Sequence, residues 1–150
     1  MDPEVPCGVT LAFTERTGGF SEGEFASLNL GSRCGDNLQH VQQNKRLVLE
    51  ALGAGEHFSR LLIPHQVHGS TVVCLSSDTS EAFEQAQAEA EAGADGIVCT
   101  VKNTPVLLTF ADCVPVILVA PGGFAVAHSG WKGTIARISE RATEALCQAT

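Results

Sequence analysis

The hydrophobic positions of the chain fall into short runs separated by turn residues. Apolar and β-branched runs of this length, bounded by Gly, Pro, Asn and Asp, are typical of buried strands. The predicted strands cover 9–13, 61–63, 71–75, 96–101, 105–110, 114–120 and 124–127. Residues 16–31 contain four glycines and no regular periodicity, which predicts a long loop.

Three other stretches have helical patterns. A helix is predicted from Asp36 or Asn37, as N-cap, to Gly53, because the apolar positions between them share one helical face. Residues 76–93 are rich in Ala and Glu and contain no Lys or Arg, which predicts a solvated acidic helix. The apolar spacing from Ser129 or Thr134 to Leu146 predicts a third helix.

Size and composition favour one folded domain over 1–150. The 150 residues are 44% hydrophobic and 17% charged, which excludes disordered, collagen-like and coiled-coil chains. The net charge of −8 and the lack of a basic tract argue against nucleic acid and anionic membranes as partners. The sequence has no long apolar run and no export signal, so a cytoplasmic location and reduced thiols are predicted.

Three residues that can bind metals lie beside turns at the ends of apolar runs: His68, Cys113 and His128. Two imidazoles and a thiolate suit Zn²⁺ or copper, and three protein ligands leave a fourth position open, as a catalytic metal requires. Taken singly, each is more often a buried histidine or a small buried cysteine. Asp112 precedes Cys113 and could orient a ligand or move a proton, or else cap a turn between strands.

Other residues near these positions are candidates for substrate contacts. His65 lies three residues before His68, and in a strand the two would point to opposite faces, so His65 is predicted to be substrate-facing or structural. Trp131 could stack on a planar ligand or lie in the core. Lys132 stands at the start of the predicted last helix, where it could hold an anion such as phosphate.

Six segments, in order along the chain, resemble the YfiH-like family, also called multicopper polyphenol oxidoreductase, laccase domain-containing or purine nucleoside phosphorylase. They are 13–21 (FTERTGGFS), 27–31 (SLNLG), 66–69 (QVHG), 94–98 (ADGIV), 109–117 (TFADCVPVI) and 127–133 (AHSGWKG). The resemblance implies an α/β (α+β) fold, a layered sandwich with mixed β-sheets flanked by helices. It also implies a zinc or copper site formed by His68, Cys113 and His128, with Asp112 as a further catalytic candidate.

The function implied by the resemblance is purine nucleoside chemistry. It comprises phosphorolysis of adenosine, inosine, guanosine and methylthioadenosine, hydrolytic deamination of adenosine, and copper-dependent oxidation of polyphenols. The partners are then a purine nucleoside and phosphate. The available cations for phosphate are Arg16, Arg33, Arg46 and Lys132. The family usually has Arg where this chain has Lys132.

Family members continue for about another half after the last helix, so the chain is expected to lack a C-terminal part. An open sheet edge would then favour self-association. Two other functions stay open. One is a metal-independent hydrolase with Cys113 as nucleophile and His128 as base. The other is a truncated, non-catalytic protein that binds metal or a partner.

Overall fold

A computed structural model describes residues 8–150. They divide into two compact units, one formed by residues 12–59 and the other by residues 8–11 and 60–150. The predicted strand over 9–13 is wrong, because only Val9 within it forms a β-bridge. The prediction of one domain over 1–150 stays a prediction.

The first unit contains helix α1, Leu38–Ala51, and the long loop before it. The helix begins as predicted, because the side chain of Asn37 accepts a hydrogen bond from Gln39 N at 2.9 Å. The loop contains a 3₁₀ turn, Gly23–Phe25, and a 3₁₀ helix, Gly55–Arg60, follows α1. Asn44 of α1 is fully buried and anchors the loop: its Oδ1 accepts from Phe20 N at 2.7 Å, and its Nδ2 donates to Asn29 O at 2.9 Å.

Lys45 is a buried cation on α1, only 3% exposed. Its Nζ donates to Ser32 Oγ at 2.5 Å, and the structure shows no carboxylate paired with it among residues 8–150. Burial lowers the pKa of this ammonium below its usual 10.5. An uncompensated buried charge reduces the free energy of unfolding.

We expect Lys45→Met to raise the free energy of unfolding by about 1–2 kcal/mol at pH 7, because the replacement removes a charge that is costly to bury. The difference from wild type should shrink as the pH rises toward 10.5, because the folded protein loses this proton at a lower pH than the unfolded chain does. Urea unfolding at pH 7 and pH 10 measures both effects. Lys102→Met, at an exposed lysine, is the control and should stay within about 0.5 kcal/mol; a stability loss in Lys45→Met would contradict the expectation.

The second unit is built on a four-stranded sheet. Its strands are β1 (Val72–Leu75), β2 (Gly96–Cys99), β3 (Val114–Ala120) and β4 (Gly123–Ser129). They lie in the order β1-β2-β4-β3. The sheet is mixed, because β1 and β2 are parallel while β4 runs antiparallel to both β2 and β3.

Three helices belong to this unit. Helix α2, Ser80–Gly93, connects the parallel strands β1 and β2. Helices α3 (Trp131–Ile135) and α4 (Ile138–Ala149) follow β4. The prediction of a single helix from Ser129 or Thr134 is wrong, because the structure has two helices there. The chain turns between them at Arg137, whose φ of 62° is left-handed.

Strand β2 is buried on both faces and separates two apolar cores. Ile97 and Cys99 belong to the core that includes Ala86 and Ala90 of α2. Val98 points the other way, as alternation along a strand requires, into the core formed with Ile138, Ala142 and Leu146 of α4. The predicted α/β sandwich with a mixed sheet and flanking helices is confirmed.

Two predicted strands are reduced to a single contact. Residues 61–63 and 105–110 meet only at the parallel bridge between Leu62 and Val106, because Pro64 and Pro105 lack the N–H groups that would extend a ladder. Strand β3 lies at one edge of the described sheet, and self-association through that edge stays a prediction. Within residues 8–150, no helix is long and apolar enough to span a membrane.

Candidate metal centre

The second unit brings His68, Cys113 and His128 together. Their potential ligand atoms all lie within 4.8 Å of one another. Cys113 immediately precedes β3, and His128 lies opposite Pro115 in the register of β3 and β4, so antiparallel pairing places these two side by side. His128 is 4% exposed, whereas Cys113 is partly buried and His68 is exposed. The group thus sits at the protein surface, with one ligand anchored in the interior.

His68 reaches the other two residues through a tight turn. Its φ is 59°, a left-handed conformation that costs free energy in a residue other than glycine. Just before the turn, Gln66 binds the segment that leads to Cys113: its Nε2 donates to Thr109 O at 2.8 Å, and its Oε1 accepts from Thr109 N at 2.9 Å. This two-bond clamp holds the His68 turn against the Cys113 segment.

Asp95 lies beneath the group, fully buried between α2 and β2. One carboxylate oxygen, Oδ1, accepts from His68 N at 3.0 Å and lies 2.8 Å from His128 Nδ1, within hydrogen-bond distance. The other, Oδ2, accepts from Val67 N at 3.1 Å and Gly69 N at 2.7 Å. The backbone of Asp95 also accepts from His128 N at 2.6 Å. One aspartate therefore bonds to segments that carry two of the three potential ligands.

The local backbone leaves space beside the three side chains. A Cβ atom at Gly130 would lie 3.0 Å from His68 Cδ2 and 3.2 Å from Cys113 Sγ, so a larger residue would crowd the group.

Tetrahedral zinc, with bonds of about 2.0–2.3 Å, keeps its ligand atoms roughly 3.3–3.8 Å apart. The observed group needs only a small contraction to reach these separations, and its two nitrogens and one sulfur match the ligand preference of zinc or copper. The residues present therefore fit a metal ion.

The surroundings of Cys113 raise the pKa of its thiol. Burial raises the pKa of this thiol, and the neighbouring carboxylate of Asp112 raises it further by charge and by accepting its hydrogen bond, with Asp95 contributing in the same direction. The distance from Cys113 Sγ to Asp112 Oδ1 is 3.8 Å. A metal-free thiolate nucleophile requires the opposite shift.

The remaining predicted site residues occupy different positions. His65 is outside the group of three; its backbone N–H donates to Ala90 O and its carbonyl accepts from Ala94 N. Trp131 is 69% exposed rather than in the core, and Lys132 Nζ lies 5.5 Å from the centre of its ring. Arg46 belongs to the first unit, where its guanidinium lies 4.2 Å from the centre of the Phe58 ring.

Exposed apolar side chains accompany the potential ligands. Val67 precedes His68 and is 49% exposed, Val114 follows Cys113 and is 60% exposed, and Trp131 is three residues beyond His128. All three flank the potential ligands in sequence, where exposed side chains of this kind are free to contact a partly apolar molecule.

Asp95 is the residue that the sequence interpretation missed. Its signal in the sequence was a single carboxylate inside an otherwise small and apolar run, 94–99, where an ordinary reading is a turn before a strand. A charged residue that is fully buried needs several hydrogen-bond partners, and here those partners come from segments 26–33 residues away.

The fold and this group define an α/β protein with a His-Cys-His arrangement that suggests a metal site. Residues 10–150 match the family described as multi-copper polyphenol oxidoreductase laccase, and the chain belongs to that family. The resemblance to YfiH-like proteins is thereby confirmed.

Individual relatives agree with this family. The chain is 36% identical over 134 residues to the purine nucleoside phosphorylase YlmD of Geobacillus stearothermophilus, covering 88% of this chain and 48% of that protein. It is 36% identical over 138 residues to the purine nucleoside phosphorylase YfiH of Escherichia coli, covering 90% and 51%. The crystal structure of YlmD from G. stearothermophilus superposes with a TM-score of 0.71 at 35% identity, over 84% of this chain and 47% of that one. The chain thus spans about half the length of the curated relatives it matches.

Proposed function

We propose that this chain carries the metal centre of a purine nucleoside phosphorylase and that His68, Cys113 and His128 bind zinc or copper there. The observation that carries the proposal is the convergence of these three residues within 4.8 Å in a chain 36% identical to relatives named purine nucleoside phosphorylase. The proposed substrates are phosphate with adenosine, inosine, guanosine or methylthioadenosine. Adenosine deamination and copper-dependent polyphenol oxidation are proposed as further activities.

The predicted site residues of the second unit have distinct proposed roles. His68, Cys113 and His128 would hold the metal ion, which would supply Lewis-acid chemistry when bound. Asp112, which is exposed next to Cys113 in the chain, is the proposed group that gives or accepts a proton during the reaction. Trp131 offers an exposed aromatic face for a purine base, with His65 as a second substrate contact. Lys132 is the proposed phosphate contact in this unit, since cations bind phosphate oxygens; Arg46, in the first unit, stays a predicted phosphate contact by its charge alone.

The two nucleoside reactions have different products, and this makes the proposal testable. In phosphorolysis, a phosphate oxygen attacks C1′ of the ribose, the C1′–N9 bond breaks, and free purine and ribose 1-phosphate form. In deamination, water replaces the amino group at C6, and inosine and ammonia form. Only the first reaction depends on phosphate.

The experiment incubates zinc-loaded protein with adenosine, with and without phosphate, and measures adenine, inosine and ammonia. We expect phosphate-dependent adenine release, and at least about a tenfold lower rate in His68→Ala, because even the partners that orient metal ligands matter by about 10–100-fold. His40→Ala is the matched control; its histidine lies on α1 of the other unit and should keep the wild-type rate.

Two outcomes would favour the other functions. Zinc binding without any turnover would identify a non-catalytic binding protein. Turnover that persists in excess chelator and in His68→Ala would identify a cysteine hydrolase with His128 as base. Either result would contradict the proposed metal-dependent activity.

A further inference from the structure

The carboxylate of Asp95 accepts three backbone hydrogen bonds, from the N–H groups of Val67, His68 and Gly69. Oδ1 of Asp95 also lies 2.8 Å from Nδ1 of His128. An ionised carboxylate only accepts hydrogen bonds, so this contact is a hydrogen bond only when the imidazole carries its proton on Nδ1. The geometry therefore places the shared proton on Nδ1 of His128.

That proton position determines which nitrogen of His128 is free. With Nδ1 donating to Asp95, Nε2 carries the lone pair and is the atom available to a metal. The same carboxylate binds the N–H of His68 and those of both its neighbours, which stabilises the left-handed turn that directs His68 toward the group. Both histidines of the centre thus depend on one buried side chain.

We infer that Asp95 is a positioning residue of the metal centre: it fixes His128 as the Nδ1–H tautomer, with Nε2 free for the metal, and holds the His68 turn in its left-handed conformation. The inference rests on the proposed metal site. It goes further by assigning a role to a residue that does not itself belong to the group of three.

Asp95→Asn is the sharpest test, because asparagine has the same shape but replaces one acceptor oxygen with an NH₂ donor. If that NH₂ takes the place of Oδ2, it faces the N–H groups of both Val67 and Gly69. If it takes the place of Oδ1, it faces only one backbone N–H, that of His68, and it can donate to His128 Nδ1 when that atom is unprotonated. The second orientation places the NH₂ against one backbone N–H instead of two, so we expect it to be preferred. In that orientation Nδ1 of His128 must accept a hydrogen bond, and the imidazole proton moves to Nε2.

The first measurement is the tautomer of His128 in metal-free protein, from long-range ¹H–¹⁵N NMR spectra of histidine-labelled samples. The His128 signals are assigned by their loss in His128→Gln. We expect Nδ1–H in wild type and Nε2–H in Asp95→Asn. Asp78→Asn, at an exposed aspartate, is the matched control and should leave the Nδ1–H form unchanged.

The second measurement is zinc affinity by competition with a chromophoric chelator. We expect Asp95→Asn to bind zinc about 10–100-fold more weakly than wild type, because binding must now return the proton to the nitrogen that faces the asparagine NH₂. An Nε2–H tautomer in wild type would overturn the inference, and this reading does not depend on whether the variant folds. An unchanged tautomer, or zinc affinity within twofold of wild type, in folded Asp95→Asn would also overturn it.

The outcomes separate this inference from the proposed function. Wild-type protein that shows Nδ1–H at His128, with the change to Nε2–H in Asp95→Asn, but binds no zinc would contradict the proposed metal site while supporting the positioning of His128 by Asp95. Zinc binding with nucleoside turnover, but no effect of Asp95→Asn on either measurement, would support the proposed function and contradict the positioning role of Asp95.

Discussion

Cys113→Ala is expected to lower zinc affinity by more than about 100-fold, since loss of a residue that merely orients a ligand already costs about 10–100-fold. Cys113 is the only sulfur in the group of three, and removing it leaves two imidazoles. The loss removes a charged thiolate, one of the strongest zinc ligands in proteins. We expect phosphate-dependent adenine release to fall together with the metal content.

The measurement is zinc per chain after dialysis, with affinity from chelator competition. Cys147→Ala is the matched control, because that cysteine is free and exposed on α4 and should keep the wild-type zinc content. Folding is checked by urea unfolding of both metal-free variants. A folded Cys113→Ala protein that retains one zinc per chain would refute the assignment of this residue as a ligand.

The sequence predicted the three potential ligands because each has a local signal. His68, Cys113 and His128 stand next to turn residues at the ends of apolar runs, and the QVHG, ADC and AHSGW segments resemble those of one family. What spacing alone could not give is their convergence. It depends on the pairing of β3 with β4 and on the clamp between Gln66 and Thr109, which joins residues 43 positions apart.

The fold was predicted best where local signals and tertiary contacts agree. Helix α1 begins at its predicted cap, and β3 has its predicted bounds, Val114–Ala120. The runs at 61–63 and 105–110 have strand-like composition, but strand formation requires a partner with free N–H groups along its length, and the flanking prolines reduce the pairing to one bridge. The left-handed turn at Arg137 separates the last two helices. Glycine or asparagine usually occupies such a turn, and neither stands at this position, so the sequence did not predict it.

Asp95 was not found for a related reason. A role that consists of accepting hydrogen bonds from distant segments leaves no spacing pattern in the sequence, and Asp-Gly is also a common turn pair. Its one distinguishing property is burial beside β2, which the structure provides and the sequence does not.

Asp95→Ala should produce the largest loss of stability of any substitution considered, about 3 kcal/mol in metal-free protein, because three backbone N–H groups and His128 Nδ1 lose their acceptor together. For a chain of this size the thermal midpoint should fall by roughly 6–12 °C. Asp78→Ala is the control: Asp78 pairs with Arg60 at 2.7 Å, but the aspartate side chain is 68% exposed, so its loss should cost about 1 kcal/mol. Urea unfolding of both variants without metal measures the difference, and the absence of metal ensures that lost zinc binding does not contribute. Equal stabilities for the two variants would mean that the buried carboxylate contributes no more than an exposed one, and the turn at His68 would then not depend on Asp95.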